Sequence, residues 1–384
     1  MPGSRRAWNT PFIRLQRQCP RERRDHRRPG SERSAEQRAM RAWTLPRSGP
    51  PEVLELRDVP DPELGSGDVL IRVEAIGINY AEVLSRKGLY GWAPDRPYVP
   101  GMEVAGRIEA IGPDVMGRSV GERVLCGMQY GGYAERVAVR ANRALPAPDH
   151  FSMDEAAAFG VNFMTAWVAL TEMARLRPDD RVAITAAAGG VGTAAVQIAS
   201  AFGCDVVALA GSKEKLELTR SLGAAYTVNY RAPDFESVFD SITADRGLDV
   251  VLEVVGGDVF RACNARLANF GRLVVVGYAQ LDYTKWNPFS WWRAWRDAPR
   301  IKVMDAAVAS TGLLATHIGY LLPDEERLLG VWSALSDFVA AHDLRPIVGS
   351  TWAFEELPEA HRFMESRAST GKLVVRVGQG EDAP

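Results

Sequence analysis

The chain has 384 residues, 46% hydrophobic and 24% charged, enough to bury two ordinary domain cores. Its net charge of −2 is unevenly spread: residues 1–39 hold eleven arginines, no lysine and four acids, which leaves 35 basic against 44 acidic side chains for the remainder. That acidic body gives no electrostatic reason to bind nucleic acid or an anionic membrane, and four scattered cysteines without a CxxC pair argue against a disulfide framework or a cysteine-rich zinc site, in keeping with a reducing, cytoplasmic setting.

Residues 1–39 are rich in Pro, Ser, Gln and Arg and show no apolar periodicity, so they cannot offset the entropy of ordering and are expected to form a disordered extension. They are too acidic and too little amphipathic for a transit peptide, and Met40, which opens MRAWTL, is the expected natural start. From residue 40 to about 160 the chain offers short alternating runs, DVLIRVEAIGIN, EVAGRIEAIG, ERVLCGM and YAERVAV, separated by Gly and Pro. Such runs predict a β-rich, barrel-like domain. Two charged features stand out in it. Glu82 and Arg86 lie four apart on a predicted helix and are expected to pair along it. In PGMEVAG, Pro100 to Gly106, Glu103 sits inside an otherwise apolar run and is expected to be a structural carboxylate bonded to loop amides.

Val182 to Cys204 runs 23 residues without a charge, long enough to span a bilayer, but its interior AAAGGVG would break a helix there. The better reading is strand, glycine turn (Gly189, Gly190, Gly192) and helix. The alternation then continues with DVVALA (strand), SKEKLELTRSLG (helix), YTVNY (strand), a polar helix near 234–244, LDVVLEVVG (strand), a helix from about Asp258, and RLVVVGY (strand). This predicts an α/β doubly wound parallel sheet. In that setting bare amides at a helix N-terminus accept a pyrophosphate. A preference for NAD would place a carboxylate about 20 residues after the glycines. The residues there are Ala210, Gly211 and Ser212, followed by Lys213 and Lys215. A hydroxyl and a cation suit a 2′-phosphate, so NADPH is the expected cofactor, with Ser212 and Lys215 at the phosphate and Lys213 in a solvated turn.

The aromatic-rich loop Tyr283 to Trp295 either roofs an apolar site or lies at a subunit contact. Residues from about 311 onward, with LRPIVGSTWAF, ELPEAHRFMES and TGKLVVRV, read as a return to the first domain. The expected division is therefore 40–160 with 311–384, and 161–310. The five histidines show no metal spacing and are expected in surface or structural roles, and no Ser or Cys sits in a hydrolase motif.

Taken together, GINYAEVLSRKGLY, PGMEVAG, GGYAERVAV, AAAGGVGTAAVQIA and TGKLVVRV resemble the medium-chain dehydrogenase/reductase superfamily over essentially all of residues 40–384. Within it the chain is similar to the zinc-free quinone oxidoreductases, and VNFMTAW and the tryptophan pair in NPFSWWRAW are similar to the vesicle amine transport protein homologues. The resemblance implies a GroES-like β-rich catalytic domain and a Rossmann domain. It puts Met102 where zinc alcohol dehydrogenases carry a histidine ligand and Asn79 where they carry a cysteine, so no metal is expected. It implies that Asn79 and Tyr90 stand beside nicotinamide and acceptor, and that Thr165, Gly189, Gly190, Val191, Gly192, Tyr230, Gly277 and Lys372 belong to the cofactor site. The implied activity is NADPH-dependent hydride transfer to a quinone or an α,β-unsaturated carbonyl by a homodimer. The alternatives are an enoyl-thioester reductase and a weakly catalytic NADPH-binding scaffold at membranes.

Overall fold

The structure is a computed structural model, and it describes residues 39–277 and 302–378. All but the last residue of the N-terminal extension, and the whole 283–295 loop, lie outside the described residues.

The first part of the chain is β-rich. A hairpin of β1 (Ala39–Thr44) and β2 (Glu55–Pro60) precedes β3 (Asp68–Ile78), α1 (Tyr80–Lys87), β4 (Glu103–Ile111), β5 (Arg123–Gly127), β6 (Arg136–Arg140) and β7 (Leu145–Pro146). The alternation read in β3 is real: Val69, Ile71 and Val73 enter one core while Leu70 and Arg72 face away. α2 (Met153–Trp167) then crosses to the second unit, started by a capping box in which Ser152 and Glu155 satisfy each other's backbone N–H.

The second unit alternates as the apolar runs predict: β8 (Arg181–Ile184), α3 (Gly190–Ala201), β9 (Asp205–Ala210), α4 (Lys213–Ser221), β10 (Tyr226–Asn229), α5 (Phe235–Thr243), β11 (Leu248–Glu253), α6 (Gly257–Ala265), β12 (Leu267–Val275), α7 (Val303–Ala309) and β13 (Gly312–Ala315). α8 (Glu325–Ala341), β14 (Val348–Ala353), α9 (Leu357–Glu365) and β15 (Lys372–Arg376) close the chain. The uncharged Val182–Cys204 stretch is thus strand, turn and helix, and among the described residues no helix is long and apolar enough to cross a membrane.

Six strands form an all-parallel sheet in the order β10-β9-β8-β11-β12-β13. This is the doubly wound Rossmann order, with its reversal between β8 and β11. Helices cover both faces, which is why all four residues of β8 are buried. A seven-stranded mixed sheet runs β14-β15-β3-β4-β5-β7, with β6 also on β3. The expected return at 311 comes later than the sequence suggests. Leu313 and its neighbours in β13 pair with β12 in the parallel sheet, and the first strand to rejoin the mixed sheet is β14.

The two sheets meet along α2, which packs on β3, β4 and β15 on one side and on α3 and α8 on the other. A backbone bond from Gly371 N–H to Ala188 O, 2.8 Å, ties the start of β15 to the glycine turn after β8.

Candidate active site

A cleft of about 660 Å³ opens at the carboxyl ends of β8 and β11, where the strand order reverses. Its floor is the turn Gly189–Gly192 at the start of α3. A Cβ at Gly192 would lie 2.3 Å from Ala186 O, so only glycine lets the helix begin this close to the strand. The turn leaves backbone N–H groups at a helix N-terminus with no side chain in front of them, which is the chemistry a pyrophosphate needs.

At one end of the cleft, Lys215, Tyr230, Arg231 and Arg367 converge beside Gly211. Lys215 Nζ donates to Arg367 O at 2.8 Å. Burial first, then the charge of Arg231, lowers the Lys215 pKa, while burial raises Tyr230 against the pull of Arg231 and Arg367. Among the described residues neither guanidinium makes a salt bridge. Lys215 makes none either, so among the described residues the three cations share the cleft without a salt-bridge partner. Arg231 and Arg367 escape a sequence reading because neither lies at a fixed offset from the glycine turn; the first follows β10 and the second follows α9. Ser212 does not line the cleft. Its Oγ accepts the Lys215 N–H and caps α4.

At the other end the walls come from the β-rich domain. Lys372 Nζ donates to Asn79 Oδ1 at 2.7 Å and to Glu103 Oε2 at 2.6 Å. Glu103 Oε1 accepts the Val161 N–H at 2.6 Å. Lys372 and Glu103 are 2% and 0% exposed, so this is a buried ion pair that also fixes the Asn79 amide, whose Nδ2 donates to Gly77 O. Burial pushes the Glu103 carboxyl upward and the Lys372 ammonium opposes it. A Cβ at Gly77 would strike Ala157 O, Lys372 and Glu103, which explains the glycine in AIGIN.

Glu82 does not pair with Arg86. Its Oε2 accepts the Asn79 N–H at 2.6 Å and the Tyr133 hydroxyl at 2.8 Å, and its Oε1 accepts the Met102 N–H at 2.6 Å. Arg86 instead reaches Glu365 on α9. The helical spacing is as expected, but tertiary partners displace the i,i+4 contact. Glu82 therefore holds the backbones of two cleft residues, Asn79 and Met102, and burial raises its carboxyl to about 7. Behind it Tyr133 also meets the buried His361, 2.8 Å from Oη to Nε2. Of the histidines, His361 is buried in the β-rich domain, whereas His317 lines the cleft, 2.6 Å from Tyr90 Oη.

The remaining predicted residues fall on this one surface: Thr165, whose hydroxyl donates to Val161 O within α2, with Tyr90, Val191, Gly277 and Lys372. Gly277 faces open space, with only Val254 O near a Cβ there.

A parallel doubly wound sheet, a mixed β-rich domain and a cleft at the switch point define a two-domain oxidoreductase of the nicotinamide-nucleotide type. Comparison with known proteins agrees. Residues 65–149 match the family described as alcohol dehydrogenase GroES-like domain, and residues 190–302 the family described as zinc-binding dehydrogenase. The chain belongs to the medium-chain dehydrogenase/reductase superfamily. It is 33% identical over 316 residues to a synaptic vesicle membrane protein VAT-1 homolog of Danio rerio, covering 82% of this chain and 65% of that protein. It is 31% identical over 343 residues to a quinone oxidoreductase of Rattus norvegicus, covering 88% of this chain and 98% of that protein. Among solved structures it resembles the quinone oxidoreductase of Thermus thermophilus, also known in complex with NADPH, at 38% identity and a TM-score of 0.71 over 88% of this chain and 100% of that one.

Proposed function

We propose that the protein is an NADPH-dependent reductase that works without a metal and moves hydride to a conjugated acceptor, a quinone or an α,β-unsaturated carbonyl. The observation that carries this reading is the uncompensated cluster of Lys215, Arg231 and Arg367, which shares one cleft with the glycine turn and with Asn79 and Tyr90. Three cations without a counter-charge fit a 2′-phosphate, and a ribose of NAD would give them nothing to bind.

NADPH, when bound, supplies the hydride. The amides of Gly189, Gly190 and Gly192 at the start of α3 would hold its pyrophosphate, and the cation cluster would favour a phosphate over a hydroxyl. At the acceptor end Lys372 uses two of its three N–H groups on Asn79 and Glu103 and so holds the Asn79 amide in one orientation. A fixed amide stabilises negative charge on an acceptor oxygen by a preorganised hydrogen bond. The zinc in the second family's description does not fit these residues. Met102 offers a thioether, Asn79 an amide, and the Lys372 ammonium already puts a positive charge between Asn79 and Glu103. Conjugated acceptors suit such a site because they spread incoming charge onto a distant oxygen and need no Lewis acid.

The reading includes a homodimer. β13 is the edge of the parallel sheet, with Leu313 exposed on it and Val303, Met304 and Val308 exposed on the adjacent α7. Light scattering at micromolar concentration tests it.

Oxidation of NADPH against NADH with a panel of quinones and enals tests the whole. Turnover with NADPH preferred is expected, and no turnover with any acceptor would overturn the reading.

A further inference from the structure

Tyr90 follows α1 and His317 follows β13, and the fold brings side chains 227 positions apart into a contact of 2.6 Å between Oη and Nε2. The imidazole is held by rings on several sides. Tyr90 stacks on it with centroids 6.0 Å apart at 29°, Trp92 meets it edge-on at 5.0 Å, and Tyr320 does so at 5.5 Å. Trp92 packs so closely that a Cβ at Gly319 would lie 2.3 Å from its ring. Tyr90, Trp92 and His317 all line the cleft at the end that holds Asn79.

We propose that Tyr90 and His317 form a proton-delivery pair, which fits the site to reduce the carbon–carbon double bond of an α,β-unsaturated carbonyl; this rests on the reductase reading above. Hydride from the dihydronicotinamide forms the C–H bond at the β-carbon, and the π electrons move to the carbonyl oxygen as an enolate. The enolate α-carbon then takes the Tyr90 proton, forming the second C–H bond as the O–H bond breaks. Tyr90 Oη is reprotonated by Nε2–H of the His317 imidazolium, and His317 regains its proton from water. One hydride and one proton are consumed, leaving the saturated carbonyl and oxidised nicotinamide.

Two physical points favour the pair over the phenol alone. Burial raises the Tyr90 pKa, with smaller contributions from Glu82 and Tyr320, so a phenolate at Oη is a poor resting state and is reprotonated before the next turnover. His317 Nε2, 2.6 Å away, is placed to do that. Second, protonating carbon requires a directed acid, whereas a reduced quinone carries its charge on oxygen and exchanges protons with water directly.

Burial lowers the His317 pKa below its usual value. Tyr90, Trp92 and Tyr320 face the ring, and among the described residues no carboxylate pairs with it. Enone reduction therefore falls as pH rises through the His317 pKa.

The test uses the full chain with NADPH, 2-cyclohexenone and 1,4-benzoquinone. Tyr90→Phe should lower enone turnover about 100-fold and His317→Gln about tenfold, in line with general acid catalysis. Both should lower quinone turnover at least about tenfold less than enone turnover, raise the solvent isotope effect on enone reduction, and, for His317→Gln, remove the pH limb. Without cofactor, NMR titration of the His317 ring should give a different pKa in Tyr90→Phe than in the native chain. Enone and quinone turnover falling in step, or an unchanged pH profile in His317→Gln, would overturn the pair while leaving the reductase reading intact. If His317→Gln does not fold, the acceptor ratio of Tyr90→Phe and the NMR titration decide. Absence of NADPH oxidation by the native chain with every acceptor would overturn both.

Discussion

The two ends of the cleft are built on opposite electrostatic plans. At the Lys215 end, three cations gather without a salt-bridge partner among the described residues, and one of them donates to a backbone carbonyl. At the Asn79 end, Lys372 is paired with Glu103 in the interior, and Glu82 is buried against two backbone amides and a phenol. Unmatched charge beside a cleft is free to take a counter-ion from a ligand or from solution. Matched charge in the interior fixes geometry, and its removal is felt as lost stability before it is felt as lost affinity. Substitutions at the two ends should therefore fail in different ways, and that contrast can be measured.

The largest expected effect belongs to the matched end. Glu103→Ala leaves the Lys372 ammonium buried without its partner and should cost about 3–5 kcal/mol in denaturant unfolding. Loss of less than about 1 kcal/mol would mean that water reaches Lys372 and that the two ends are not so different. Glu103→Gln, which keeps a hydrogen-bond acceptor for Lys372, should lose less.

Next comes a pH effect of the same region. The Glu82 carboxyl is raised to about 7 in the folded chain from a usual 4.5, chiefly by burial. The native state thus holds a proton that the unfolded state has released between those values. This contribution to stability is fully present below pH 4.5 and is lost as pH rises through about 7. The shift corresponds to about 3 kcal/mol at most. Glu82→Gln should flatten the decline in unfolding free energy between about pH 5 and pH 8; an unchanged slope would show that its three hydrogen-bond donors keep Glu82 ionised throughout.

The unmatched end should behave otherwise. Arg231→Ala should weaken NADPH binding by about 1.5–3 kcal/mol, roughly 10- to 100-fold, with NADH binding nearly unchanged. Removing one cation from a crowded trio also relieves repulsion, so the unfolding free energy of this variant should hold or rise slightly. Fluorescence titration with both nucleotides checks the first expectation and denaturant melts the second. Equal weakening toward both nucleotides would place the cluster away from the 2′-phosphate.

What is legible in the sequence follows the range of the interactions. The strands and helices of the parallel sheet can be read because each announces itself within about ten residues, by apolar runs in β8 and β11 or by the Gly189–Gly192 turn. The place of Lys215 in the cleft can be read because it lies at a fixed distance from that turn. His317 cannot, since its meeting with Tyr90 depends on how β13 is placed, and the sequence pattern puts β13 in the wrong sheet. The Glu82–Arg86 pairing fails for the same reason: the partner that wins, Glu365, is 279 residues from Arg86. Glu103 is, as its apolar surroundings suggest, a buried carboxylate bonded to a backbone amide, but its lysine comes from β15 and no local pattern names it.

Ser212 gives the smallest effect and the finest test of the contrast, because it stands beside the cation cluster and yet is used structurally. Its Oγ accepts the Lys215 N–H at the start of α4. Ser212→Ala should cost about 1 kcal/mol of stability, the usual loss for an N-cap. Ser212→Asp would keep a cap and favour the helix dipole, but would place a carboxylate among Lys215, Arg231 and Arg367. If the hydroxyl is only a cap, the alanine variant binds NADPH within about twofold of the native chain, since no charge-assisted bond is lost. The aspartate variant, by contrast, should lose NADPH affinity while keeping its stability, because its carboxylate would compete with the nucleotide's phosphate for the cluster. Loss of about tenfold or more in NADPH affinity on going to alanine, with NADH unaffected, would return Ser212 to the binding site.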